Sequence, residues 1–169
     1  MLLNKKQINL AVDMLNNNEI IILPTDTIYG LSAIINKKNQ NNINKIKKCN
    51  EEKPLIILVA NFKQAKEFID LNKDVKKILK CKEPTTVIYK KNTSNLTYAI
   101  RLVKRKDLKK IIKKTGPIFS TSVNITGEKF INNKKDLEAF LGIKYCFFTE
   151  KSAEKPSKII DLLGNSIKR

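Results

Sequence analysis

The sequence contains no histidine. That removes the commonest general base and the commonest metal ligand. Ser-His and Cys-His catalytic pairs are excluded, as are zinc sites built on imidazole. Cysteine is scarce: Cys49, Cys81 and Cys146 lie far apart and form no C-x-x-C. Neither a disulfide framework nor a zinc site follows, and reduced, mostly buried thiols are expected. Only five glycines occur, with no G-x-x-x-x-G-K-[ST] and no G-x-G-x-x-G. The usual backbone cradles for phosphate are therefore absent. No apolar run reaches the roughly 18 residues of a membrane helix. In MLLNKKQINL, Asn4, Lys5, Lys6 and Gln7 interrupt any signal-peptide core. A cytoplasmic protein with no membrane contact is expected. Its chemistry must use carboxylates, hydroxyls, Lys, Arg or the substrate's own reactivity.

What the chain has in excess is positive charge, +18 from 34 basic and 16 acidic residues. Such a balance suits polyanionic partners, nucleic acid or nucleotide phosphates, although part of it belongs on solvated faces. Only Arg101, Arg105 and Arg169 are arginines. In a Lys-heavy chain an Arg marks a place that needs a planar fork. A length of 169 residues allows one real core, so residues 1–169 are expected to form a single domain.

Apolar spacing gives the coarse organisation. Ile8, Val12 and Leu15 share a helical face within Asn4–Asn18, with Asn4 as cap. Strands are expected at Ile20–Leu23, Ile28–Ile35, Leu55–Ala60, Thr86–Tyr89, Tyr98–Val103, Ile118–Val123, Tyr145–Phe148 and Ile159–Leu163, the last full strand. Asn36–Asn44 reads as a polar loop entering a helix that ends near Cys49. Asn61, Asn72 and Asn133 stand where they could cap helices, the third of which carries Leu137, Phe140 and Leu141 inward. Lys106–Thr115 is an amphipathic helix with lysines outward, stopped by Gly116 and Pro117. Interspersed strands and helices predict an α/β protein of α+β type, a twisted mixed sheet with flanking helices.

Four polar clusters stand at the ends of apolar runs: Thr25-Asp26-Thr27; Lys47, Lys48 and Lys53; Ser120 to Asn124; and Pro156-Ser157 with Arg169 beyond. Each alone is equally good turn chemistry or solvated surface. Strand ends are also where open α/β sheets bind ligands.

The wording and order of these clusters resemble the YrdC/TsaC family, the threonylcarbamoyl-AMP synthases. LPTDTIYGL resembles its P-T-[DE]-T-x-Y-G-L signature. Lys47 followed by Lys53-Pro54-Leu55 is similar to its K-x-R-x-x-x-[KN]-P-L element, and Pro84-Thr85-Thr86 to the end of its P-G-P-x-T. Thr97 to Arg101 resembles its [ST]-x-A-V-R strand, Ser120 to Asn124 with Gly127 its S-T-S-A-N-x-[ST]-G, and Pro156-Ser157 to Asp161 with Arg169 its closing P-S-x-[IV]-x-D and final Arg. The likeness covers nearly the whole chain. It departs at Cys49, where the motif has Arg, leaving Lys48 and Lys53 as alternative point charges. It departs again at Val123, in place of a small Ala, which either narrows a pocket or repacks a core.

The resemblance implies an enzyme that joins L-threonine, bicarbonate (or CO2) and ATP into threonylcarbamoyl-AMP and pyrophosphate. A partner transferase then modifies adenosine next to the tRNA anticodon. It implies a sheet bordering a basic concave cavity. Thr25, Arg101 and Ser157 would hold threonine, while Lys47, Thr97, Ser122, Asn124 and Arg169 would face ATP and the carbamate. Mg²⁺ would arrive with ATP, with no protein metal site, and direct RNA contact is a further expectation. The competing reading is a YrdC-like module that binds RNA without catalysis, resting on the +18 charge and the lysines of Lys106–Thr115.

Overall fold

The structure is a computed structural model that describes residues 2–91, 93, 96–149, 155–164 and 166–168. Its elements run α1 (Lys5–Asn16), β1 (Ile21–Leu23), β2 (Gly30–Ile34), α2 (Lys37–Ile46), β3 (Ile56–Val59), α3 (Phe62–Ala65) and α4 (Lys73–Lys80). They continue with β4 (Thr85–Lys90), β5 (Thr97–Leu102), α5 (Lys106–Thr115), β6 (Ile118–Ser122), α6 (Lys134–Glu138), β7 (Tyr145–Cys146), β8 (Lys158–Asp161) and β9 (Ser166–Lys168). Among the described residues these strands make one mixed sheet, in the order β7-β1-β2-β6-β3-β5-β4-β8-β9.

Asparagine caps begin most helices. Asn4 takes the Gln7 N–H while the Gln7 side chain returns to the Asn4 N–H, a reciprocal box of about 1 kcal/mol. Asn36, Asn61, Asn72 and Asn133 cap α2, α3, α4 and α6 by accepting a first-turn backbone N–H on the side chain, without the return bond. The expected loop over Asn36–Asn44 is mostly helix. Its inner face buries Asn39 and Asn44 beside Ile43, so polar residues with backbone partners disguise a helical face. Asn39 donates to the Ile34 carbonyl, and Asn44 to those of Glu51 and Lys53. The helix of Asn133 stops at Glu138. Leu141 has φ 42° and is 52 % exposed, so it is not the core residue its spacing suggests. Beyond the expected last strand, β9 pairs antiparallel with β8. Cys81 is exposed, and Cys49 and Cys146 are half-buried, against the expectation of buried thiols.

Strand alternation divides the apolar residues between the two faces of the sheet. On one face Ile57, Val59, Phe119, Ile100 and Val87 pack under α2, α3 and α4. On the other, Ile21, Leu23, Leu58 and Ile118 pack under α1 and α5. A fully buried Leu or Ile contributes roughly 1.5–3 kcal/mol, so this seam of α1, α5 and sheet fixes where cover ends. Beyond it the same face carries Gly30, Ser120, Ser122 and Ala99, with Gly30 opposite Ser122 and Ile56 between Ser120 and Ala99. Small side chains with no helix above them leave a hollow.

Candidate functional site

That hollow is a cavity of about 330 Å³. Its floor is the row of small residues. Its walls come from the β1–β2 loop, the end of α2, the turn after β6, and the segment leading into β8. Among the described residues lining it are three cations, Lys47, Lys53 and Arg101, and no carboxylate. Six residues expected at the site converge on it: Thr25, Lys47, Arg101, Ser122, Asn124 and Ser157. Thr97 lies on the same face of β5 as Ala99 and Arg101 but is exposed and outside the lining. Arg169 lies outside the described residues.

Pro24 ends β1, and the three polar residues after it are set by local hydrogen bonds. Thr25 Oγ1 donates to the Ile28 carbonyl at 2.7 Å and accepts the Thr27 N–H at 3.1 Å. The loop is thus good turn chemistry and a site wall at once. Asp26 faces away from the ligand space. Its carboxylate accepts the backbone N–H groups of Lys104 and Arg105, docking the loop against the end of β5.

Arg101 is 5 % exposed. Nη1 donates to Thr27 Oγ1 at 3.1 Å and Nη2 to Thr25 Oγ1 at 3.5 Å. Its Nε is buried without a hydrogen-bond partner among the described residues. Burial pulls its pKa down to about 10, with the negative charge of Asp26 opposing that fall. A buried guanidinium with an idle N–H and only hydroxyl partners is poised for an incoming carboxylate. Thr27 was not among the expected contacts. Its signal was its membership of the same three-residue polar cluster as Thr25.

Across the cavity, Ser157 is buried and its hydroxyl meets that of Thr86 at 2.9 Å. Thr86 pairs with Arg101 across β4 and β5, so Ser157 is indexed to the arginine through one ladder step. Gly30 is required by close approach: a Cβ there would sit 2.3 Å from Ser120 Oγ and 3.2 Å from Thr25 Cγ2.

The other end is built on Lys47. Its ammonium donates to the carbonyls of Ser122 and Asn124 at 2.7 and 2.8 Å, and to Asn124 Oδ1 at 2.7 Å. Ser122 Oγ also bonds Asn124 Oδ1 at 2.6 Å, and Asn124 Nδ2 donates to the Glu128 carbonyl. Lys47 thereby ties α2 to the turn after β6. Val123 points the opposite way, fully buried with Ile22, Leu31 and Phe140, so it repacks a core and does not narrow the cavity. Tyr29 belongs to that core while also lining the cavity. Cys49 is outside the lining, with Sγ against Asn44. Among the described residues no group of three or more acidic or cysteine side chains could hold a metal ion. No described helix is long and apolar enough to cross a membrane.

Comparison with known proteins places this geometry. The Sua5/YciO/YrdC family model, described as Telomere recombination, matches residues 13–169. A threonylcarbamoyl-AMP synthase of Aliivibrio fischeri is 29 % identical over 152 residues, covering 81 % of this chain and 82 % of that one. The fold matches Pyrococcus abyssi Sua5 complexed with L-threonine at TM-score 0.80 and 23 % identity, over 96 % of this chain and 53 % of that one. It matches Escherichia coli YciO at TM-score 0.79 and 19 % identity, over 94 % of this chain and 85 % of that one. The chain thus spans about half the length of the Sua5 protein.

Proposed function

The chain belongs to the Sua5/YciO/YrdC family, and we propose that it is an L-threonylcarbamoyladenylate synthase. L-Threonine, bicarbonate (or CO2) and ATP give threonylcarbamoyl-AMP and pyrophosphate, for threonylcarbamoyladenosine modification of tRNA. The observation that carries this reading is Arg101: buried, protonated below about pH 10, with an Nε unpaired among the described residues, and lining a cavity whose described lining residues include no carboxylate. An unpaired buried donor is costly. A substrate carboxylate repairs it.

Arg101 takes the carboxylate of threonine, with Thr25 and Ser157 flanking it. That leaves the amine directed into the cavity. The free amine adds to CO2, forming a C–N bond as one C–O π bond breaks and losing its proton to solvent (from bicarbonate the same step expels water), and the carbamate oxygen then attacks the α-phosphorus of ATP. The P–O bond to pyrophosphate breaks, and pyrophosphate carries away the negative charge. Neither step needs a histidine or a covalent enzyme intermediate. Positioning of the two substrates and neutralisation of phosphate charge by the basic lining supply the catalysis. Ser122 and Asn124 face the carbamate and nucleotide. Mg²⁺ would arrive with ATP and would supply neutralisation of phosphate charge; the described residues lining the cavity include no carboxylate to hold it. Thr97 and Arg169 belong, on this reading, to the outer nucleotide side. The adenylate passes to a tRNA-modifying transferase, and a cytoplasmic setting suits such a partner.

A non-catalytic RNA-binding module is the less favoured reading, since it leaves the unpaired N–H of Arg101 unexplained. The experiment is a pyrophosphate-release assay. Release that requires both L-threonine and bicarbonate is expected. ATP turnover indifferent to threonine, or none at all beside strong salt-sensitive RNA binding, overturns the assignment.

A further inference from the structure

The three cations of the cavity are not equivalent. Arg101 sits among the threonines of the β1–β2 loop. Lys47 is 6 % exposed, and three acceptors within 2.8 Å take all three of its N–H donors. An ammonium has no further hydrogens to offer. Lys53 is built the other way round. Its backbone is pinned: the N–H donates to Asn50, and the carbonyl accepts from Asn44 at 2.8 Å and Gln40 at 3.3 Å. Asn44 is itself fully buried in α2. The side chain is exposed at the cavity mouth and its ammonium has no partner among the described residues. Pro54 follows, restricting the backbone of Lys53 to extended conformations. The result is a fixed root carrying a pendant, uncommitted charge.

Resting on the nucleotide reading of this site, we propose that Lys53 makes the direct lysine contact to the polyphosphate of the nucleotide, while Lys47 acts on it only by holding the Ser122–Asn124 turn. Lys53 is then a binding residue and Lys47 a positioning residue. This also accounts for Cys49. With its thiol against Asn44 at 3.5 Å it contributes no charge, and the pendant lysine four residues later supplies a point charge at the same end of the cavity. Lys48, at φ 51° and outside the lining, does not.

The test is calorimetric binding of a non-hydrolysable ATP analogue and of AMP, each with Mg²⁺, to wild type, Lys53→Met, Lys53→Arg and Lys47→Met. Lys53→Met is expected to weaken the triphosphate roughly tenfold while leaving AMP unchanged, with Lys53→Arg restoring most of the loss. The salt dependence of triphosphate binding should also become shallower in Lys53→Met. Lys47→Met is expected to weaken both ligands alike and to lower the unfolding midpoint, because the turn loses its tie. Unchanged triphosphate affinity in Lys53→Met overturns the proposal, as does an equal loss of AMP. A wild type that binds neither nucleotide overturns the reading of the site itself.

Discussion

Asp26 and Arg105 meet across 79 residues of sequence, with the Arg105 N–H donated to Asp26 Oδ1 at 2.6 Å. The side chain of Arg105, the N-cap of α5, pairs with Asp107 and makes no capping bond to the helix. A carboxylate from the β1–β2 loop meets the start of that helix instead, where negative charge is favoured. Asp26→Ala leaves two N–H groups short of a partner. It is expected to cost about 1–2 kcal/mol and to raise the Kd for L-threonine more than that for ATP. Asp26→Asn keeps an oxygen acceptor and should recover most of both. Denaturant midpoints and calorimetry on the two variants decide it; identical threonine affinity in all three proteins would leave Asp26 with no part in the site.

Arg101→Met should separate stability from function. The replaced group is a buried cation with no direct ion pair, and replacing such a charge by an apolar side chain is often neutral or stabilising. The midpoint at neutral pH should therefore hold or rise, while threonine-dependent pyrophosphate release falls by about a hundredfold or more. A large loss of stability would show that the guanidinium is structural.

The same pair of proteins carries a pH signature. Burial lowers the pKa of Arg101 to about 10 in the folded chain, well below its value in the unfolded chain. Between those values the unfolded chain binds more protons, so this group adds stability as pH rises through that window. Wild type should gain on Arg101→Met above about pH 10, and the difference between their midpoints should be flat from about pH 7 to 9. Subtracting the variant removes the background of titrating lysines. A difference that moves the other way would mean that Arg101 is stabilised as a cation in the fold.

Gly30→Ala places a methyl 2.3 Å from Ser120 Oγ. Overpacking of this kind costs about 1–3 kcal/mol, and here it acts on the floor of the cavity and on Thr25. Activity should fall further than stability predicts. Adding Ser120→Gly should restore the midpoint in a double-mutant cycle, and additive effects would place the clash elsewhere.

Local signals made much of this legible in the sequence. Asn4, Asn61, Asn72 and Asn133 cap helices where a small polar residue precedes an apolar period. Six site residues read from ordered polar clusters line one cavity. What could not be read depends on partners remote in the chain. Nothing local shows that Lys47 spends its donors on the turn after β6, 75 and 77 residues away. Nothing local assigns Asp26 to α5. The first turns of α2 read as loop because Asn39 and Asn44 take core-facing positions with backbone carbonyls as their partners. Leu141 has the spacing of a core residue but sits at a positive φ where the helix has already ended.

Ser157 stands just before β8, and its hydroxyl partner Thr86 lies 71 residues earlier. The opposite wall, Thr25, comes much earlier in the chain. A nascent chain can therefore complete α1 and the first strands while the cavity still lacks one wall. Only when β8 docks beside β4 do the two walls face each other. On the proposed reading of the cavity, substrate affinity would therefore report on closure of the sheet at β8.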